Sequence, residues 1–462
     1  MTKKLRTWLI FLIFLNGYVS LSLELIVLRQ LSFFVGSAAV ITSIIMGTFL
    51  GFMSIGYFRG GAARITRRGA GRALQFNFTL IAAMTVLAGS FVLLSTYFSM
   101  MYMAGITSGV IQTALYSIVF LSVGPYLFGI NTALLSRYLN RYNANATGSI
   151  MAWDTIGSVL GSLATTLVLM PFIGVNYTIL WITVLGLVAA AIARPRPRMG
   201  IWAAAILVPA WIINNNAFLY REMGILVNNA NSTIAVMGDD NTRVLYMNGL
   251  PMSVYHPQTG ASAAYINYIN QNFIDTMPRT RPHDILVLGA GGFTAGLNDT
   301  YNTYTFVDIE RTLKDVSEKH FLGAPLSLNK RFVVQDASQF LKNTDQQWDL
   351  IILDVYSNSY QVPEDLITVQ FMQRIRDRVR PGGMVAMNMI TSPDFSDAYT
   401  RVFDNTFHHV FDHNTSRQVI GSQNPWGATD PANVIYLWFN RPESDRVYTI
   451  NKTPVIYDRY KN

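Results

Sequence analysis

Long apolar runs fill residues 7 to 218. A bilayer core offers no water to a peptide group, so segments of this kind cross it as helices whose backbone bonds are internal. Seven spans fit: about 8–28, 38–58, 74–97, 108–135, 148–170, 175–193 and 200–218. The first is too long, and too clearly followed by further spans, to be a cleaved leader. The last has the shortest apolar part, contains Pro209 and ends in Asn214 to Asn216.

Charge is divided as the spans require. Residues 1 to 218 hold 14 Lys/Arg and 2 Asp/Glu, while the whole chain holds 35 and 27. The basic balance thus belongs to the loops of the apolar half, and nucleic-acid binding is not indicated. Lys3, Lys4 and Arg6 precede the first span. Arg59, Arg64, Arg67, Arg68 and Arg72 follow the second, Arg137 and Arg141 the fourth, and Arg194, Arg196 and Arg198 the sixth. The alternate loops carry only Arg29. Basic loops stay in the cytoplasm, so the amino terminus is expected there. If the seventh span crosses, the carboxyl-terminal half lies outside. There is no cysteine, hence no disulfide, thiolate nucleophile or Cys–zinc site.

Glu24, Asn131 and Asp154 are polar groups inside the spans. An acid there is a functional candidate by default. The plainer reading has Glu24 pairing with Arg29 and Asp154 capping the start of span five. Gly47-x-x-x-Gly51 and Gly157-x-x-x-Gly161 are small-residue pairs suited to close helix packing.

Beyond residue 218 the pattern changes. Tyr220 to Val254 reads as short strands with turns at GDDN 238–241 and NG 248–249. Tyr265 to Phe273 reads as a helix. Ile285 to Leu288 is a buried parallel strand followed at once by Gly289, Gly291 and Gly292, glycines that allow close backbone approach to a ligand. Tyr304 to Val307 ends at Asp308, where an acid can reach ribose hydroxyls. Phe332 to Val334 leads to Asp336, and Leu350 to Leu353 leads to Asp354. Ligands of open α/β sheets sit at these carboxyl strand ends. The alternative is a plain doubly wound domain whose strand-end acids cap helices. Helices are expected at Arg311–His320, Ala337–Lys342 and Val369–Val379. His408, His409 and His413, near Asp404 and Asp412, read as solvated residues, and no metal site is assigned. No P-loop, G-x-S-x-G or H-E-x-x-H is present.

These residues resemble the spermidine synthase (polyamine aminopropyltransferase) family. VLGAGGFT stands at its glycine loop, FVDIE at V-E-I-D, QDASQFL at G-D-A-x-x-F-L, WDLIILDVYS at Y-D-V-I-x-x-D-x-x-D, and RVRPGGMVAMN at L-x-P-G-G. STIAVMGDDNTRVLYMNGLPMS resembles its small amino-terminal β-domain, with the L-x-L-D-G hairpin at Leu245 to Gly249. The segments FLNGYVSLSLELIVLRQLSFFVGSAAVITSIIMGTFLGFMSIG and SIMAWDTIGSVLGSL look like bacterial integral-membrane members, with Glu24, Arg29 and Asp154 on motif positions. The tail TINKTPVIYDRY resembles their T-D-D-x-x-P-V-E-Y end, with Asn451 and Lys452 replacing acids.

The resemblance implies an S-adenosyl-type nucleoside donor and no prosthetic group. Asp308 would bind its ribose. Asp336 and Ala337 would lie against the adenine, and Gly289 and Gly291 under the nucleoside. Asp354 would deprotonate the attacking amine. Several family positions differ. The D-x-x-D pair reads Asp354-Val-Tyr-Ser357, and the glycine-loop aspartate is absent. Asn231-Ser232 replaces the donor-contacting Y-Q. HPQTGAS at 256–262 replaces the D-E-x-x-Y-H-E segment, losing its tyrosine, histidine and acids. A dication needs several acids and aromatic faces, so putrescine is a poor acceptor here.

The expected architecture is a polytopic α-helical membrane domain of about seven spans (1–218), a small β-rich domain (219–278) and an α/β Rossmann-like, spermidine synthase-like domain (279–462). The expected setting is a bacterial inner membrane, with the lipid bilayer, a small-molecule ligand and a protein partner or second copy as partners. The leading function is a transferase using an S-adenosyl-type donor. The alternatives are a catalytically degenerate binding module and a transport role of the helices.

Overall fold

A computed structural model describes residues 3–36, 39–62, 67–140, 146–356, 362–411, 413–421 and 431–442. The chain divides into two compact units, Met1–Val254 and Tyr255–Asn462.

The first unit is helical. Its helices are α1 (Lys3–Val35), α2 (Ala39–Ala62), α3 (Arg67–Gly89), α4 (Phe91–Met103), α5 (Gly109–Tyr116), α6 (Val123–Asn140), α7 (Ala146–Ala164), α8 (Met170–Ala193), α9 (Met199–Ile213) and α10 (Asn216–Met223). Among the described residues, three helical runs are long and apolar enough to cross a membrane: Thr7–Val35, Ala39–Ala62 and Thr147–Ala193. Three bent pairs, α3 with α4 (59°), Gly109–Leu121 with α6 (44°) and α9 with α10 (46°), raise the number to six if each pair is one crossing. A count of seven is not established. The difference arises where spans five and six were expected, because they form one continuous run of 47 residues. Inside that run Gly174 is non-helical, with φ 80° and ψ 165°.

Arg29, expected in a loop, lies on α1, which continues to Val35. Asp154 does not cap α7; it sits well inside that helix, and its Oδ1 accepts from Asn16 Nδ2 at 3.3 Å. Asn131 is fully buried and bonds to Asn16 and Asn77. Small residues bring α1 and α7 together. A Cβ on Gly157 would collide with the Phe14 carbonyl, and one on Gly161 with that of Tyr18. Gly47 and Gly51, also expected to pack closely, face open space.

The unit ends in strands β1 (Ile225–Asn228), β2 (Thr233–Gly238), β3 (Arg243–Met247) and most of β4 (Leu250–His256). The hairpin between β3 and β4 turns on Asn248 (φ 51°) and Gly249 (φ 82°), the positive-φ pair that an NG turn supplies. These strands are tied to the helices. Arg29 Nε donates to the Asn229 carbonyl at 2.8 Å and Arg29 Nη2 to Thr233 Oγ1 at 3.1 Å. Asn228 Nδ2 donates to Gln30 Oε1 and to Asn176 Oδ1.

The second unit holds β5 (Ala261–Ser262), α11 (Ala264–Ile269), β6 (Asp284–Leu288), β7 (Thr303–Asp308), α12 (Leu313–Val316), β8 (Lys330–Val334), α13 (Ala337–Lys342), β9 (Trp348–Leu353), α14 (Val369–Asp377), β10 (Val379–Thr391), α15 (Ala398–Val410), β11 (Thr415–Ile420) and β12 (Ala432–Phe439). Seven strands form one sheet in the order β11-β12-β10-β9-β6-β7-β8. β6 to β10 run parallel, and β12 is antiparallel to both β10 and β11. This is a Rossmann-like sheet. Its strands read as unbroken apolar runs because helices cover both faces; all six residues of β9 are buried. The expected helix Arg311–His320 is shorter at its start, beginning at Leu313.

Candidate functional site

Strand register builds the site. Leu288 pairs with Val307 on one side and Leu353 on the other, and Leu353 pairs with Met387. One residue further, Asp308, Gly289, Asp354 and Asn388 therefore form a row across β7, β6, β9 and β10. β6 is where the strand order reverses, the crevice where open α/β sheets take ligands.

Gly289 has φ 90°, and a Cβ there would collide with the Asp354 carbonyl. The position demands glycine on both counts. Gly291 is also at positive φ (49°). Phe293 occupies the end of the loop, fully buried against Phe306 and Phe332. In GAGGFT it is Gly292, one residue before Phe293, that stands where the resemblance would put an acid.

Asp308 is held by backbone. Its Oδ2 accepts from Ala290 N at 3.0 Å and its Oδ1 from Glu310 N at 2.9 Å. Burial raises its pKa, and those two bonds oppose the rise. Each oxygen keeps a lone pair for a further donor such as a hydroxyl. Asp336 is the N-cap of α13 and accepts from Gln339 N at 2.9 Å, so the helix-capping alternative is realised at this acid. Ala337, the first residue of α13, is buried.

Asp354 is the most elaborated position. Its Oδ1 accepts from Asn388 Nδ2 at 2.8 Å and its Oδ2 from the Tyr265 hydroxyl at 2.7 Å. The carboxylate keeps some solvent access, but protein packs densely around it and raises its pKa, while the two donors oppose the rise. Burial and the charge of Asp354 push the Tyr265 and Tyr356 phenols well above the ordinary tyrosine value. Tyr356 donates to the Asn388 carbonyl at 2.7 Å. Tyr265 and Asn388 were not singled out in the sequence. The segment 256–262 lacks a tyrosine; Tyr265 lies a few residues later, on α11. The second position of the D-x-x-D pair, Ser357, lies outside the described residues, as does the tail TINKTPVIYDRY.

The family model for the spermine/spermidine synthase domain matches residues 273–420. The carboxyl-terminal region carries a spermidine synthase domain. Among similar curated proteins is the polyamine aminopropyltransferase of Vibrio vulnificus, 24% identical over 150 residues that cover 31% of this chain and 50% of the relative. The chain spans about half the length of the curated relatives it matches. Among solved structures, a probable spermidine synthase from Corynebacterium glutamicum is similar over 48% of this chain and 80% of that one, with 21% identity and a TM-score of 0.39. A spermidine synthase in complex with the transition-state analogue AdoDATO covers 50% of this chain and 76% of its own, with 12% identity and a TM-score of 0.36.

The spermidine synthase domain matched here contains Gly289, Asp308, Asp336 and Asp354, and Tyr265 lies just before it. Within the domain, Asp349 stands at the opposite end of β9 from Asp354. Burial opposes its ionisation, but bonds from Arg281 and Asp284 N and the charge of Arg380 hold its pKa at about 2. That cluster is structural and remote from the strand-end row.

Proposed function

We propose that the chain is a membrane-bound transferase whose carboxyl-terminal domain binds an S-adenosyl-type nucleoside and passes a group from it to an amine acceptor other than a simple diamine. The observation that carries this reading is Asp354 with its two donors, in one row with Gly289 and Asp308. Gly289 and Gly291 turn the loop at positive φ under the nucleoside, Asp308 is oriented for ribose hydroxyls, and Asp336 with Ala337 flanks the base. A neutral amine is needed for attack on the carbon beside a sulfonium, and a carboxylate of raised pKa accepts its proton. No metal is needed for such a leaving group.

Membrane insertion is supported by apolar side chains that face outward on the helices, among them Leu50 (55% exposed), Phe58 (79%), Leu167 (64%) and Phe172 (72%). Seven crossings are supported by the end of α1. Arg29 and Gln30 bond to residues 228–233, so that end and the first strands share one membrane face. The crossings between α1 and β1 are then even in number. Gly174 separates two of them, and Asn176 beside it joins the same hydrogen-bonded cluster. With a cytoplasmic amino terminus, the transferase domain faces outside an inner membrane. The working division is then a helical membrane domain to residue 218, a small β-rich domain to 278 and the transferase domain beyond.

A second reading is favoured by Gly292, which leaves the loop without the acid, and by the outside placement, which separates the domain from cytoplasmic donors. In it the domain binds a nucleoside-like ligand or a protein without turnover.

The test is binding of decarboxylated S-adenosylmethionine and 5′-methylthioadenosine to the detergent-solubilised chain by calorimetry. The transferase reading expects binding that Asp308→Asn weakens at least about tenfold, equivalent to loss of one charged hydrogen bond. Absence of binding in the unsubstituted chain removes that reading and leaves the second.

A further inference from the structure

Arg72, Arg196 and Arg198 border a cavity of about 690 Å³ between α3 and the start of α9. The rest of the lining is largely apolar. On α3 it runs from Arg72 through Phe76 and Leu80 to Ala83, one face at helical spacing. That stretch is about 16 Å long at 1.5 Å per residue, roughly half the hydrocarbon thickness of a bilayer. Phe76 and Trp202 form open walls, 64% and 60% exposed. The groove therefore has a basic end and an apolar length of one leaflet.

Among the described residues no acid lines the groove. The only acids in residues 1–218 are Glu24 and Asp154, and neither lines the groove. Arg194 lines a neighbouring cavity of about 480 Å³ with Trp8 and Gly71. Its Nη1 is buried and lacks a hydrogen-bond partner among the described residues. Desolvation, with the charges of Arg196 and Arg72, lowers the Arg194 pKa, so these cations feel one another. Like charges held together at a helix end call for an anion.

We propose that this groove holds an anionic glycerophospholipid of the leaflet on the amino-terminal side, with its phosphate against Arg72, Arg196 and Arg198 and an acyl chain along Phe76, Leu80 and Trp202. Free phosphate would leave the apolar length unfilled. A zwitterionic head group would bring its own cation toward three arginines. The inference rests on the membrane reading above.

Native mass spectrometry of the full detergent-purified chain tests it, with phosphatidylglycerol and phosphatidylethanolamine of identical acyl chains. Retention of the anionic lipid should be favoured by about tenfold, a little more than one arginine's contribution near a surface. R72Q/R196Q/R198Q should lose the preference, and R72K/R196K/R198K should keep most of it. Excess inorganic phosphate should not displace the lipid. Equal retention of the two lipids, an unchanged preference in the glutamine variant, or displacement by phosphate overturns the proposal. If the glutamine variant does not fold, brominated phosphatidylglycerol supplies the second measurement. It should quench fluorescence of the unsubstituted chain measurably more than that of Trp202→Phe, and equal quenching overturns the proposal. A chain that stays soluble without detergent refutes the membrane reading itself; a chain that inserts without lipid preference refutes only this inference.

Discussion

The Tyr265 hydroxyl donates to Oδ2 of Asp354 at 2.7 Å, across 89 residues of sequence. Asn388 Nδ2 serves the other oxygen from the neighbouring strand. Both donors favour the ionised carboxylate against the burial that disfavours it. Tyr265→Phe removes one of them, so the Asp354 pKa should rise further. A base works above its own pKa, so the acid limb of the pH–rate profile should move upward. One hydrogen bond to a charged group corresponds to a displacement of about one pH unit. Profiles of the two proteins side by side check this, and an unmoved acid limb refutes it.

Asp354→Asn should abolish turnover and leave nucleoside binding intact. It should also raise stability near neutral pH. The folded-state pKa of Asp354 lies above its unfolded value, so ionisation penalises the folded state as pH climbs from the unfolded toward the folded pKa. Well below the unfolded value of about 3.9, where both states are protonated, the ionisation penalty should vanish. Denaturant midpoints at neutral pH and at about pH 2.5 give the comparison.

Asp349 behaves with the opposite sign. Its folded pKa, about 2, lies below the unfolded value. Its contribution is present above the unfolded pKa, near 4, and is lost as pH falls toward 2. Because Arg281 is half exposed, solvent screening reduces the effect, and Asp349→Asn should cost on the order of 1 kcal/mol at neutral pH. Nucleoside affinity should not change, which separates this cluster from the strand-end site.

How much of this was legible beforehand follows from what sequence patterns encode. β6, β9 and α13 were readable because a buried parallel strand is a short apolar run and a helix capped by aspartate has a local signature. The row of Gly289, Asp308 and Asp354 followed from strand ends alone. Tyr265 and Asn388 were not readable as site residues, since each looks like an ordinary helix or strand position and its partner is far along the chain. Arg29 was assigned to a loop because a charge usually marks the end of a span, whereas here its partners on residues 229 and 233 allow it to sit on the helix.

Gly157→Val should separate α1 from α7. Its added atoms would meet the Phe14 carbonyl, a backbone atom that cannot rotate away. Loss of the monodisperse peak on size exclusion in mild detergent is the expected result, while the same change at Gly47, which faces open space, should be silent.

The hydrogen bonds from Arg29 to Asn229 and Thr233 have a practical corollary for anyone cutting the chain. The composition changes at about residue 218, which invites a shortened, soluble version beginning there. Such a version would start inside a cluster in which Leu219, Ile225 and Ala235 pack on Phe33, Phe34 and Phe91. It would bare that apolar surface and leave the carbonyl of Asn229 without its guanidinium. The boundary between the compact units falls at Val254, within β4, so the first strands travel with the helices as one mechanical piece.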